Sequence, residues 1–141
     1  MSDLRFDVDA YRERLGEKAF ARHQNYLNGE VMVLAIDGGG LVAHVEGSEG
    51  RSYVVEIGEG GFDFCSCPAF EEAGVCKHLP AVAAVANALS PDQVRKLSRR
   101  LDRLRETLSF ETQAALIERL IALAKALPGA LEILEGEADQ D

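Results

Sequence analysis

The chain has 141 residues, 47% hydrophobic and only 6% aromatic, with no tryptophan and a formal net charge of −9. That length builds one domain, or a small domain with an appendage, and so acidic a chain is a poor default partner for phosphate, which is bound mainly through Lys and Arg. The N-terminal MSDLRFDVDAYRERLG is charged and lacks an apolar h-region, and no stretch reaches the ~18 apolar residues of a membrane span, so a soluble, cytoplasmic protein with no membrane partner is expected.

Residues 7–16 read as a short helix, with Asp7 as N-cap and Gly16 as the residue that ends it. Residues 17–28 read as a second helix stopped by Gly29, with Ala19, Phe20, Gln24 and Leu27 on one face and Tyr26 beside it. His23 has no partner histidine or cysteine nearby and reads as a solvated or hydrogen-bonded helix residue. Three strands follow. Glu30–Ile36 is a near-continuous apolar run, which suggests a strand covered on both faces. Asp37–Gly40 predicts a hairpin turn. Leu41–Glu46 alternates, with Leu41, Ala43 and Val45 on one side and Val42, His44 and Glu46 on the other, where His44 is a solvated residue. Residues 47–50 make a second turn, and Arg51–Ile57 the third strand, with Tyr53, Val55 and Ile57 on one face. Gly58–Gly61 lacks the G-K-[ST] ending of a P-loop and the dinucleotide fingerprint, so it reads as a turn. Phe62–Cys65 is a short fourth strand.

That strand leads into FCSCPAFEEAGVCKH, residues 64–78, which contain all three cysteines of the chain, Cys65, Cys67 and Cys76, and end on His78. The pattern is C-x-C, an eight-residue loop, then C-x-H. Three thiolates and one imidazole are the ligand set of a closed tetrahedral structural zinc site. Residues i and i+2 of an extended strand share a face, so Cys65 and Cys67 can present both sulfurs to one ion. In a regular helix Cys76 and His78 would lie about 200° apart, which places them in a turn or a distorted first helical turn. Pro80 suits a helix start, Pro68 ends the strand and opens the loop, and Gly74 lets the chain swing back. The competing readings are three buried thiols with a surface histidine, an iron–sulfur cluster, which usually takes four cysteines, and a catalytic thiol, which needs a free activated thiolate. An odd cysteine count in metal-ligand spacing argues for a reducing compartment over a disulfide framework.

C-S-C-P-x-F, a loop, then C-K-H resembles the SWIM zinc finger, whose signature is C-x-C, a variable loop and C-x-H. Upstream, FARHQNYLNG (Phe20–Gly29), Val31, AHVEGS (Ala43–Ser48) and Tyr53-Val54-Val55 look like the segment that commonly precedes the finger in small bacterial SWIM proteins, so the resemblance covers roughly residues 17–90. Carried over, it implies zinc ligands at Cys65, Cys67, Cys76 and His78. It also implies a role in binding protein or DNA, as in transposases and helicase-type remodellers.

Leu79–Leu89 is an apolar, alanine-rich helix that calls for burial. Ser90-Pro91-Asp92-Gln93 is a capping box with proline at the first helical position. In residues 91–107 a narrow seam of Leu97, Leu101, Leu104 and Leu108 is set among basic residues. Residues 93–105 hold six bases (Arg95, Lys96, Arg99, Arg100, Arg103, Arg105) against Asp102, a local +5, which leaves −14 elsewhere. Ser109 reads as the cap of a helix Phe110–Leu127 lined by Leu116, Leu120, Leu123 and Leu127, and Pro128-Gly129 as its stop. Ala130–Leu134 is a last helical turn, and 136–141 an acidic disordered tail.

The expected architecture is therefore α+β. N-terminal helices and a small antiparallel sheet carry the zinc site within 1–90, a helical segment spans 91–135, and the tail follows at 136–141. The expected function is a non-catalytic module with structural Zn2+ that mediates protein–protein interaction through an unidentified partner. The alternative is nucleic-acid (DNA) binding through Arg95, Lys96, Arg99, Arg100 and Arg103 together with the finger. No carboxylate pair, triad or open metal position argues for an enzyme.

Overall fold

The computed structural model describes residues 5–47, 50–58 and 62–136. Helix α1 (Ala10–Leu15) and helix α2 (Glu17–Ala21) meet at Gly16, whose φ of 85° breaks the helix between them. The Asp7 carboxylate accepts the Ala10 N–H at 3.2 Å, and α1 starts there, three residues after the acid and with Asp9 at the N-cap position. The second expected helix is shorter than its apolar pattern. After Ala21 it tightens into a 3-10 turn, Arg22–Tyr26, and this rotates His23 and Tyr26 inward while Gln24 and Leu27 stay out. His23 is thus buried and not solvated, with its Nδ1 against the Phe20 carbonyl and its ring on the Phe20 ring.

Strands β1 (Val31–Asp37), β2 (Gly40–Glu46), β3 (Ser52–Gly58) and β4 (Asp63–Cys65) form one antiparallel sheet in sequential order. Alternation sorts its faces. Leu41, Ala43, Val45, Val55, Ile57 and Cys65 are buried, while His44 and Glu56 point to solvent. The apolar run of β1 is not covered on both faces, because Met32 is 64% exposed opposite His44. The register of β1 against β2 shifts between Val33 and Ala35, and the carbonyl of Leu34 in that bulge accepts a 3.0 Å hydrogen bond from Arg100.

Helix α3 (Pro68–Ala73) and helix α4 (His78–Asn87) follow the sheet. α4 touches all four strands and the 3-10 turn, and Leu79, Ala81, Val82 and Ala83 are fully buried there. An Ala-rich helix allows this close approach, and its apolar surface all round is consumed by the sheet on one side and the N-terminal elements on the other. The Asn87 amide holds the backbone of Phe6 through two 2.8 Å bonds, one donated and one accepted.

Helix α5 (Pro91–Ser109) begins with the expected reciprocal cap. Gln93 N–H donates to Ser90 Oγ at 3.2 Å, and Ser90 N–H to Gln93 Oε1 at 2.9 Å. The chain divides into two compact units between Asp102 and Arg103, inside α5. The first turns of α5 belong with the sheet because Val94 and Leu97 pack on its core and Arg100 caps the bulge.

The second unit comprises the end of α5, helix α6 (Gln113–Ala126) and helix α7 (Ala130–Glu135). Ser109 does not cap α6. Its hydroxyl closes α5 by donating to the Glu106 carbonyl at 2.6 Å. Thr112 is the cap, accepting the Ala115 N–H at 3.1 Å. Among the described residues of this unit only Ala124 is buried. Of the expected tail, Gly136 ends α7 and residues 137–141 lie outside the described residues.

Truncating Leu79 to alanine should destabilise the zinc-loaded protein by about 2–5 kcal/mol, the range for a buried leucine that leaves a cavity. Met32→Ala should change stability by no more than about 0.5 kcal/mol. Chemical denaturation of both variants checks the pair.

Candidate metal centre

Two elements deliver the ligands. β4 ends on Cys65, paired with Val55 of β3, so the sheet fixes the first sulfur. Cys67 follows in extended conformation (φ −77°, ψ 156°) and is at once the N-cap of α3, with its Sγ accepting the Phe70 N–H at 3.4 Å. Pro68, expected to open a loop, is instead the first residue of a helix, where its missing N–H is not needed. The eight-residue spacer is therefore one short helix ended by Gly74 in the left-handed region (φ 71°), which turns the chain back. Cys76 precedes α4 and His78 is its first residue. A half-formed first turn lets an i, i+2 pair converge where a regular helix would not. Pro80 is the third residue of α4, still among the positions whose N–H has no intrahelical acceptor.

The four ligand atoms of Cys65, Cys67, Cys76 and His78 lie within 4.8 Å of one another, and all four residues are buried. His78 Nδ1 stands 3.6 Å from Cys65 Sγ and 3.6 Å from Cys76 Sγ. Tetrahedral zinc with Zn–S of about 2.3 Å and Zn–N of about 2.0 Å has an S···N edge of about 3.5 Å, close to both distances. The donor set and its spacing thus fit zinc, which these three sulfurs and Nδ1 would hold. When bound, the ion supplies a cross-link between β4 and the start of α4. Four protein ligands would complete a tetrahedron, the arrangement of structural zinc sites.

The three thiols differ in acidity. Cys76 is lowered to about 4 by its hydrogen bond with Cys65 and, against the effect of burial, by those with His78. Cys65 is pushed far up by its hydrogen bond to Cys76 and then by burial, and Cys67 is raised chiefly by burial. Binding the ion as thiolates would therefore release protons from the raised thiols of Cys65 and Cys67.

Residues outside the ligand set hold it in place. Ligating histidines usually donate their second nitrogen to an oxygen; among the described residues the buried His78 Nε2 has no hydrogen-bond partner. Its ring is fixed by packing: the Tyr26 ring meets it edge-on at 4.9 Å and the Tyr53 ring lies tilted at 5.1 Å. Gly47 makes room for Tyr53, since a Cβ there would come within 2.6 Å of the tyrosine ring. On the other side, Arg14 of α1 spans the two ligand arms. It donates to Asp63 Oδ2 at 3.3 Å and to the Gly74 carbonyl at 3.2 Å, each acceptor two residues ahead of a cysteine ligand. Tyr11 also donates to Asp63 Oδ2, at 3.1 Å; burial and then the Asp63 charge hold its hydroxyl well above the ordinary phenol range.

The four residues that the sequence pattern singles out do come together, but Tyr11, Arg14, Asp63 and the two ring contacts were not legible in it. Nothing in the spacing of residues 11–14 announces a contact with residues 63 and 74, which are about 50 to 60 positions away in the chain. His23 and His44 lie outside the cluster. The basic residues of α5 are partly engaged. Arg95 and Lys96 pair with Asp92 at 3.0 and 3.5 Å, Arg100 is tied to Leu34, and Arg99 and Arg103 are exposed.

Cys76→Ala should abolish stoichiometric zinc in native mass spectrometry and lower the thermal midpoint. Zinc affinity should rise with pH, because the raised thiols of Cys65 and Cys67 must lose their protons to bind; competition with a chelator across pH checks the sign. Arg14→Ala should speed zinc transfer to the chelator by about tenfold, the lower end of effects for residues that orient metal ligands. Arg14→Lys, which cannot fork to both arms, should fall between.

The comparisons with known proteins agree with this geometry. No curated protein and no solved structure matches the chain. The family model of the SWIM zinc finger matches residues 53–87, a span that contains β4, α3, α4 and all four ligands, and the chain carries a SWIM zinc finger in that segment.

Proposed function

We propose that the chain is a non-catalytic protein-interaction module whose zinc is structural, working in a reducing compartment that keeps Cys65, Cys67 and Cys76 as thiol ligands. The observation that carries this reading is an apolar surface beside a closed metal centre. Phe62 and Phe64 are 72% and 40% exposed, and Met32 and Val54 are also exposed on the outer sheet face. Next to them a groove of about 580 Å3 is lined by Phe64, Ser66, Cys67, Phe70, Glu71 and Gly74. β4 is the last strand of the sheet, so an extended apolar segment of a partner protein can add along it and seat side chains in the groove.

A second reading has its own support. Six bases fall within residues 93–105, and Arg99 and Arg103 are exposed, as a helix lying along a phosphate backbone requires. The inward bonds of Arg100 and the pairing of Arg95 and Lys96 with Asp92 reduce the charge available for it.

Affinity capture with zinc-loaded wild type, Phe64→Ser and Arg99→Glu/Arg103→Glu separates the two. The proposal expects a partner retained by wild type and the double arginine variant but lost by Phe64→Ser, with zinc content unchanged throughout. Salt-sensitive binding of duplex DNA that is lost only in the arginine variant, with capture indifferent to Phe64, would replace it with the second reading.

A further inference from the structure

The groove along β4 has acidic groups beside its apolar lining, and together they select what enters it. Resting on the reading that β4 receives an extended segment of a partner protein, we infer that this segment puts a lysine or arginine side chain into the groove, set among apolar residues. The lining is mostly hydrocarbon: Phe64 of β4 and Phe70 of α3 meet there edge to face, with ring centroids 5.8 Å apart. Glu71 lines the same groove and is exposed. Glu56 stands directly opposite Phe64 in the β3–β4 register and is exposed too. Residues in direct cross-strand register share a face of the sheet, with Cβ atoms about 5 Å apart. Phe64 therefore has one carboxylate beside it on the sheet and another across the groove on α3. Neither Glu56 nor Glu71 forms an ion pair among the described residues.

No lysine or arginine lines the groove among the described residues. Arg14 reaches the Gly74 carbonyl at its margin, but its guanidinium is held by Asp63 at 3.3 Å. Like-charge juxtaposition rejects wrong partners, so the two carboxylates turn away an acidic segment or a phosphate backbone. A wholly apolar side chain would leave them without a counter-charge. A basic side chain meets both surfaces. Its methylene stem lies on hydrocarbon while the charged head stays in water, and a cation within about 6 Å of an aromatic ring is attracted to the ring face. Glu71 supplies the partner for that head. A second copy of this chain is a poorer occupant, because its densest basic run, residues 93–105, is wound into α5 and is not extended.

Selection from a phage-displayed library of random linear peptides on the zinc-loaded full chain tests this, with Phe64→Ser and Glu56→Arg/Glu71→Arg carried alongside and equal zinc content checked in all three proteins. Peptides held by wild type and lost by Phe64→Ser should carry lysine or arginine between apolar residues more often than the starting library does. The charge-reversed variant should select aspartate or glutamate in their place. In a synthesised winner, replacing the basic residue with glutamine should weaken binding to wild type by about tenfold, the combined effect of one cation–aromatic contact and one exposed ion pair, and should not weaken binding to the charge-reversed variant. Phe64-dependent peptides that hold lysine and arginine only at library frequency, or that bind the charge-reversed variant equally well, would overturn the inference while leaving the docking of an apolar segment in place. The absence of any Phe64-dependent peptide would remove the docking reading and the inference with it.

Discussion

Bringing two i, i+2 ligand pairs from different kinds of secondary structure to one point is the constraint on which the first unit depends. A strand presents such a pair readily and a helix does not. The chain meets the first requirement with β4 and the second by placing Cys76 and His78 across the very start of α4. Each neighbouring feature follows. Pro68 and Pro80 stand where a helix begins and a missing N–H is harmless. Gly74 makes the reversal between the pairs. α4 must then run directly off the metal centre, and its small side chains let it lie flush on all four strands. Core and metal site are one structure: Cys65, Cys67 and Cys76 belong to the same buried cluster as Val55, Ile57, Leu79 and Val82.

Support around the centre is apolar on one side and ionic on the other. Tyr26 and Tyr53 pack against the imidazole, at centroid distances of 4.9 and 5.1 Å. Arg14 and Tyr11 meet on Asp63, whose side chain is only 6% exposed, so the carboxylate acts as an anchor between α1 and the arm that carries Cys65. A guanidinium suits this position because its planar fork reaches two acceptors at once.

Much of this was legible in the residues. The ligand set rests on a spacing whose chemistry is local, and the strands rest on alternation, which β2 follows residue by residue. The capping box at Ser90 is likewise a local code. What was not legible is non-local. The inward turn of His23 and Tyr26 arises because packing on α4 favours a 3-10 turn over the continued helix that propensity suggests. The half-exposed β1 and its bulge depend on which elements happen to cover each face. Arg100 reads as a surface base in sequence, yet the Leu34 carbonyl freed by the bulge claims it. Ser109 and Thr112 are both good caps by type, and only the end of α5 decides between them.

The central claim is that zinc here is closed off by three sulfurs and one nitrogen and serves the fold. X-ray absorption at the zinc edge of the loaded protein tests it most directly. The account predicts a first shell of three sulfurs at about 2.3 Å and one nitrogen at about 2.0 Å. A shell containing a water oxygen in place of one of these ligands would contradict it, because an open position would return the centre to the class of sites that perform chemistry.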